Sequence, residues 1–210
     1  MPELPEVETI RAQLAPIVEG RPIERLEVLD GRWSRPLAPG ELSGALEGRR
    51  VQRLGRRGKY ILWHLSGDVH LVQHLRMTGS ILVEPEPEPL HTRVRMDLGL
   101  LPRSRPRPAG ARRAGVRLTF VDPRRFGTGE LLLGGEALRG FLDARLGLEP
   151  FEEGFTGAHL RALARGSRAP VKALLLDQRR IAGVGNIYAD EALFRAGIRP
   201  RKAAGRLARE

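Results

Sequence analysis

The chain has 210 residues, which is enough for one large domain or two smaller ones, and 41% of them are hydrophobic. Its 36 Lys and Arg outnumber its 25 Asp and Glu, and the resulting net charge of +11 favours a polyanionic partner. The absence of cysteine excludes disulfides, thiol catalysis and thiolate-bound metals, and the absence of a long apolar run excludes a membrane span. The acidic N-terminus is unlike a signal peptide and predicts a cytoplasmic protein.

The first predicted elements are a helix within residues 2–20 and then a series of strands. Pro5 suits the first turn of the helix, and Val7, Ile10 and Leu14 recur on one face. From residue 23 to residue 133, short β-prone runs alternate with Gly-, Pro- and Arg-rich turns at spacings typical of a sandwich or barrel. The expected strands are 23–29, 51–54, 60–65, 69–75, 80–83, 94–98, 116–121 and 130–133, with one short helix at 42–46.

The pattern becomes helical after Gly134, so the chain is predicted to be α+β. The expected helices are 136–146, 156–165, 170–176, 186–195 and a last stretch from Ala203. We therefore predict an N-terminal β domain at 1–134, a linker and hinge at 135–154, and a helical domain at 155–210. Two segments rich in Pro and charge, 84–89 and 103–115, predict exposed loops.

Pro2 is a candidate nucleophile. Removal of Met1 would leave a secondary amine, which is partly unprotonated near neutral pH and can attack an electrophilic carbon to form an iminium. Glu3 stands beside it and has a carboxylate that could move protons during that reaction. Taken alone, the same residues also fit an ordinary helix start, in which acids favour the positive end of the helix dipole.

Several longer motifs accompany Pro2 in one order. They are PELPEVET (2–9), RRGKY (56–60), HLRMTGS (74–80), DPRRFG (122–127), LGLEP (146–150) and DQRRIAGVGNIYADEALFRAGIRP (177–200). With these motifs the chain resembles the formamidopyrimidine-DNA glycosylases, base-excision repair enzymes for oxidised purines, along essentially its whole length. The resemblance implies an N-terminal β-sandwich with a leading helix, followed by a helix–two-turns–helix module, in a monomer whose partner is duplex DNA.

The resemblance also implies roles for individual residues. In the catalytic group, Pro2 attacks the deoxyribose C1′, Glu3 transfers protons, Glu6 helps to hold the active-site end of the helix, and Lys59 contacts a phosphate beside the lesion. In the DNA-binding group, Met77, Arg124 and Phe126 form a wedge that fills the space of the extruded nucleotide. Asn186 and Tyr188 contact phosphate at a glycine-rich helix start, and Lys172 lies near the lesion pocket or its phosphate.

The C-terminal end departs from the family pattern. Members of the family continue further and close with a four-cysteine zinc finger, which a chain without cysteine cannot form. The histidines show no HExxH or similar spacing, so we expect no metal or other cofactor in this chain. The helix–two-turns–helix domain is expected to be incomplete, and an ending inside an apparent helix favours a fragment over a naturally short form.

Two functions remain open at this point. The first is a bifunctional glycosylase and AP lyase that removes 8-oxoguanine or formamidopyrimidines through a Schiff base on Pro2 and then cuts the strand by β,δ-elimination. The second is a non-catalytic or lyase-only DNA-binding remnant. A generic basic RNA-binding β domain would account for the charge, but it would not account for the motifs.

Overall fold

The computed structural model describes residues 2–101 and 115–207. The chain divides into two compact units. The β unit comprises Met1–Arg56 and Tyr60–Leu138, and the helical unit comprises Arg57–Lys59 and Arg139–Glu210. The predicted loop at 103–115 lies almost wholly outside the described residues. The predicted loop at 84–89 has no regular secondary structure. It is held through Glu88, whose carboxylate accepts hydrogen bonds from Arg95 at 2.7 and 2.9 Å.

The β unit contains a leading helix and two antiparallel sheets. Its helices are α1 (Leu4–Val18) and α2 (Pro39–Leu46), and its strands are β1 (Ile23–Val28), β2 (Val51–Arg57), β3 (Tyr60–Leu65), β4 (Val69–His74), β5 (Ser80–Val83), β6 (Thr92–Leu98), β7 (Val116–Val121) and β8 (Thr128–Leu133). One sheet has the order β1-β6-β7-β5 and the other has the order β2-β3-β4-β8. The predicted β-sandwich with a leading helix is therefore confirmed.

The strand ends differ from the prediction because pairing, and not local composition, determines where a strand stops. β8 begins at Thr128, two residues before the expected start, since Thr128 pairs with His74 and Gly129 pairs with Gln73. β6 likewise begins at Thr92, which pairs with Val121. Thr92 and Thr128 are single β-branched residues beside charged residues or glycine and form no continuous β-prone run, but the partner strand supplies their backbone hydrogen bonds.

The core of the β unit lies between the two sheets and α1. Val7 and Leu14 of α1, Trp63 and Leu71 of one sheet, and Phe120 of the other all belong to one cluster of buried side chains. Burial of each such large apolar side chain stabilises the fold by about 1.5–3 kcal/mol. The alternation of apolar residues along β6 and β7 is thus explained by one face of their sheet packing on this core.

The helical unit has a smaller core of its own. Its helices are α3 (Gly135–Asp143), which begins in the β unit, α4 (Gly157–Ala164), α5 (Val171–Leu176) and α6 (Asn186–Arg195). Val171, Leu174, Ile181 and Leu193 are buried together. Where a helix is predicted from Ala203, the structure has a 3-10 turn at Ala204–Arg206, and residues 208–210 lie outside the described residues. The backbone before this turn is held against the start of α5, since the Val171 N–H donates to the Lys202 carbonyl at 2.8 Å.

No helix in the described part of the chain combines the length and the apolar character needed to cross a membrane.

Candidate functional site

The predicted catalytic residues of the β unit lie together at the start of α1. Pro2 is half-buried and immediately precedes Glu3, which occupies the N-cap position and is 1% exposed. The Glu3 backbone N–H donates to Oε2 of Glu6 at 2.9 Å, and the Glu3 carbonyl accepts from the Val7 N–H at 3.0 Å. The Glu6 carboxylate therefore holds the backbone directly after Pro2.

Two loops of the β unit carry the three predicted wedge residues. The 75–79 loop follows β4 and contains Met77, which is 41% exposed. The 122–127 loop follows β7 and contains Arg124 and Phe126, and Phe126 is 52% exposed. The guanidinium carbon of Arg124 lies 5.0 Å from the centre of the Phe126 ring. Met77 and Phe126 are therefore surface side chains and not core residues, although each in isolation would favour the core.

The 122–127 loop is further held by an ion pair that the sequence did not reveal. Arg125 has a positive φ of 61°, which a non-glycine residue rarely adopts. Its guanidinium binds Asp30, with Nε to Oδ2 at 2.5 Å and Nη2 to Oδ1 at 3.0 Å. This hydrogen-bonded guanidinium lowers the pKa of the buried Asp30 carboxyl.

The helical unit includes the β2–β3 turn with Lys59, whose side chain is 4% exposed. Gly58 has a φ of 56°, and its N–H donates to Oε1 of Glu149 at 2.6 Å. Nη1 of Arg57 lies 3.2 Å from the same carboxylate oxygen and also pairs with Glu152. Glu149, which lies in the LGLEP motif, and Glu152, which follows the motif, thus anchor the turn that contains Lys59. The motif includes Glu149 but did not indicate its role, and Glu152 lies outside the motif.

The loop before α6 is held by the side chain of Gln178. Its Nε2 donates to the carbonyls of Leu176 and Val184 at 3.0 and 2.8 Å, and its Oε1 accepts from the Gly183 N–H at 2.9 Å. The side chain thereby satisfies three backbone groups in two successive turns. Gly185, whose backbone is extended, is then the N-cap residue of α6. Sequence reasoning did not single out Gln178, although it is the second residue of the longest motif.

The remaining predicted DNA contacts lie on α5 and α6 of the helical unit. Asn186, the first residue of α6, is exposed, and Tyr188 is 40% exposed. Lys172 is on α5 and is half-buried, and its Nζ lies 2.8 Å from Asp190 of α6. The structure thus brings these three residues to one pair of helices and shows Asp190 as a counter-charge that the sequence did not predict.

A metal site is not apparent in residues 2–101 and 115–207, where no three His, Asp or Glu side chains are grouped so that they could hold an ion.

Two family models match the chain. The model of the formamidopyrimidine-DNA glycosylase N-terminal domain covers residues 1–129, and that of the formamidopyrimidine-DNA glycosylase H2TH domain covers residues 146–210. The chain belongs to the formamidopyrimidine-DNA glycosylase family. The resemblance inferred from the ordered motifs is therefore confirmed, as is the α+β architecture with a β-sandwich followed by helices.

Curated relatives and solved structures agree with this family membership. The formamidopyrimidine-DNA glycosylase of Paracoccus denitrificans is 48% identical over 207 residues, covering 98% of this chain and 70% of the relative. That of Bacillus licheniformis is 41% identical over 214 residues, covering 100% of this chain and 72% of the relative. The Lactococcus lactis enzyme in complex with abasic-site DNA is 34% identical with a TM-score of 0.85, covering 98% of this chain and 71% of that structure.

Proposed function

We propose that this protein is a bifunctional DNA glycosylase and AP lyase that removes oxidised purines, such as 8-oxoguanine and formamidopyrimidines, from duplex DNA. The observation that carries the proposal is the arrangement of Pro2, Glu3 and Glu6 at the start of α1. The Lactococcus lactis structures support the choice of substrate, since one contains abasic-site DNA and another contains Fapy-dG DNA. A monomer in the cytoplasm is the matching expectation.

The proposed reaction begins at the nitrogen of Pro2 after Met1 has been removed. The amine forms a bond to the deoxyribose C1′, the bond from C1′ to the damaged base breaks, and the base leaves with the electron pair and a proton. Opening of the sugar ring at O4′ then leaves an iminium between Pro2 and C1′. Glu3 is buried beside this centre, and a carboxylate there supplies the proton transfers of ring opening and elimination.

Strand cleavage follows from the same iminium. Loss of a proton from C2′ expels the 3′ phosphate, and a second elimination expels the 5′ phosphate, which is the β,δ sequence. The iminium acts as the electron sink for the first elimination, so no metal or redox cofactor is required by this route. Lys59 and the α5–α6 residues Lys172, Asn186 and Tyr188 are proposed to bind the DNA backbone and the lesion region.

Borohydride trapping tests the proposal directly. Mass spectrometry first establishes that Met1 is absent. The protein is then incubated with borohydride and a duplex that carries one 8-oxoguanine or one abasic site, so that any iminium between protein and sugar is reduced to a stable adduct. We expect a covalent adduct on both. Pro2→Gly should lose the adduct while binding DNA, whereas the matched control Pro39→Gly, at the start of α2, should trap like the wild type.

Each other outcome leads to a different conclusion. An adduct on the abasic duplex alone indicates a lyase that does not excise the base. No adduct on either duplex, with binding retained at low salt, indicates a non-catalytic DNA-binding protein. Trapping by Pro2→Gly at the wild-type level would refute the assignment of the nucleophile.

A further inference from the structure

We infer that Asp122 and Thr78 are positioning residues that hold the two wedge loops together, so that Met77, Arg124 and Phe126 enter the duplex as one unit. This inference rests on the proposed function, because it concerns how that function expels the damaged nucleotide. Neither residue belongs to the wedge itself. We call the pair the Asp122–Thr78 clasp.

The clasp consists of one carboxylate and four donors. Asp122 is 1% exposed. Its Oδ1 accepts from the Thr78 hydroxyl at 2.5 Å and from the Arg124 N–H at 3.2 Å. Its Oδ2 accepts from the backbone N–H groups of Phe126 and Gly127 at 2.8 and 2.7 Å. One side chain thus binds three residues of its own loop and one residue of the 75–79 loop.

The chemistry of these contacts suits a role in positioning. A buried carboxylate is stable only when hydrogen bonds replace the water it has lost. Here those bonds come from a hydroxyl and three backbone amides, all of which need a defined loop conformation to point at one centre. The charge of Asp122 is therefore stabilised only while the 122–127 loop is closed around it and Thr78 is in place.

The 75–79 loop needs an external anchor for Met77. Arg76 has a φ of 58°, and the turn closes with the Gly79 N–H donating to the Leu75 carbonyl at 3.0 Å. The Met77 side chain is exposed, so core packing does not fix its position. Thr78 is its immediate neighbour, and its hydroxyl reaches across 44 positions of the sequence to Asp122. The clasp thereby sets where Met77 stands relative to Arg124 and Phe126.

Ordered loops matter because expulsion of a nucleotide is a concerted event. Unstacking a base costs a few kcal/mol, and inserted side chains offset that cost only if they occupy the vacated space together. A wedge whose two halves move independently would have to be ordered during insertion, and this ordering would slow extrusion. Chemistry on a sugar that is already accessible should not depend on the clasp.

The test compares Thr78→Val with Thr78→Ser, because valine keeps the shape but loses the hydroxyl, whereas serine keeps the donor. The matched control is Thr92→Val. It also removes a hydrogen-bonded hydroxyl, but that hydroxyl donates to the Pro89 carbonyl at 2.8 Å and not to Asp122. Extrusion is followed by stopped-flow fluorescence of 2-aminopurine next to 8-oxoguanine in a duplex. Sugar chemistry is followed by borohydride trapping on a single-stranded abasic oligonucleotide.

We expect Thr78→Val to slow extrusion about tenfold, the effect of losing one hydrogen bond to a charged group, and to leave single-strand trapping unchanged. Thr78→Ser and Thr92→Val should behave like the wild type. The double variant Met77→Ala/Thr78→Val should lose less in extrusion rate than the two single variants would lose together, because both changes impair the same insertion step. Additive losses, equal losses on both substrates, or wild-type extrusion by Thr78→Val would overturn the inference.

Hydrogen exchange separates failure of the clasp from failure of the proposed function. If the wild type forms no adduct on any substrate, the glycosylase proposal fails, but the clasp still predicts faster exchange at the Phe126 and Gly127 amides in Thr78→Val and Asp122→Asn. Unchanged exchange at these amides in both variants would overturn the clasp, whatever the activity of the protein.

Discussion

The loop before α6 should be weakened selectively by Gln178→Ala. The substitution removes two donors and one acceptor that bind the backbone at Leu176, Val184 and Gly183. At about 1 kcal/mol for each hydrogen bond, and with Gly183 buried, we expect a loss of about 2–4 kcal/mol in the free energy of unfolding of the helical unit. For a unit of this size, the midpoint of thermal unfolding should fall by roughly 10 °C or more.

Calorimetry and DNA binding measure the two consequences of this change. The matched control is Gln13→Ala on the exposed surface of α1, which should leave the midpoint within a degree or two. Affinity for duplex DNA at low salt should fall only in Gln178→Ala, and the log–log salt slope should become shallower by about 0.9 for each phosphate that the loop no longer binds. A midpoint and an affinity equal to those of the wild type would show that the Gln178 side chain does not hold this loop.

Three further predictions concern the β unit and the hairpin turn. Burial, helped by the positive charge of Arg53 and by His70, lowers the pKa of His64 to about 4, so the unfolded state binds the proton more tightly than the folded state does. As the pH falls from 6.5 to 4, the free energy of unfolding of the wild type should therefore decrease by about 1 kcal/mol relative to that of His64→Phe, a figure reduced because the ring is only half-buried. Urea unfolding with the same pH profile for both proteins would contradict this. Gly79→Ala should destabilise the protein by about 1–3 kcal/mol, because the new Cβ would lie 2.3 Å from the Leu75 carbonyl oxygen. The control Gly44→Ala, where the new Cβ meets open space, should not destabilise it. Equal urea midpoints for the two variants would refute this. Glu149→Ala should raise proteolytic cleavage at the β2–β3 turn, since the substitution removes the acceptor for the Gly58 N–H and the ion-pair partner of Arg57. An unchanged cleavage pattern would count against this anchoring.

Local patterns in the sequence were sufficient for most elements and insufficient for their ends. The runs at 60–65, 80–83 and 116–121 have the bounds of β3, β5 and β7, because each contains a continuous stretch of β-prone residues. Thr128 and Gly129 could not be assigned to a strand in the same way, because their β conformation depends on pairing with β4. The motif order was informative for a different reason, since it identified the family without any reference to packing.

The sequence by itself determined the fold class, the family and the residues that open α1, because periodicity, turn residues and ordered motifs are all local properties of the chain. Only the tertiary structure decided that Met77 and Phe126 are exposed, that Asp122 joins their loops and that Glu149 anchors the turn before Lys59. These relations join residues 44 and 91 positions apart in the sequence. Exposure and hydrogen bonding at such separations depend on how strands and loops meet in space, and no periodic pattern in one segment specifies the partner in another.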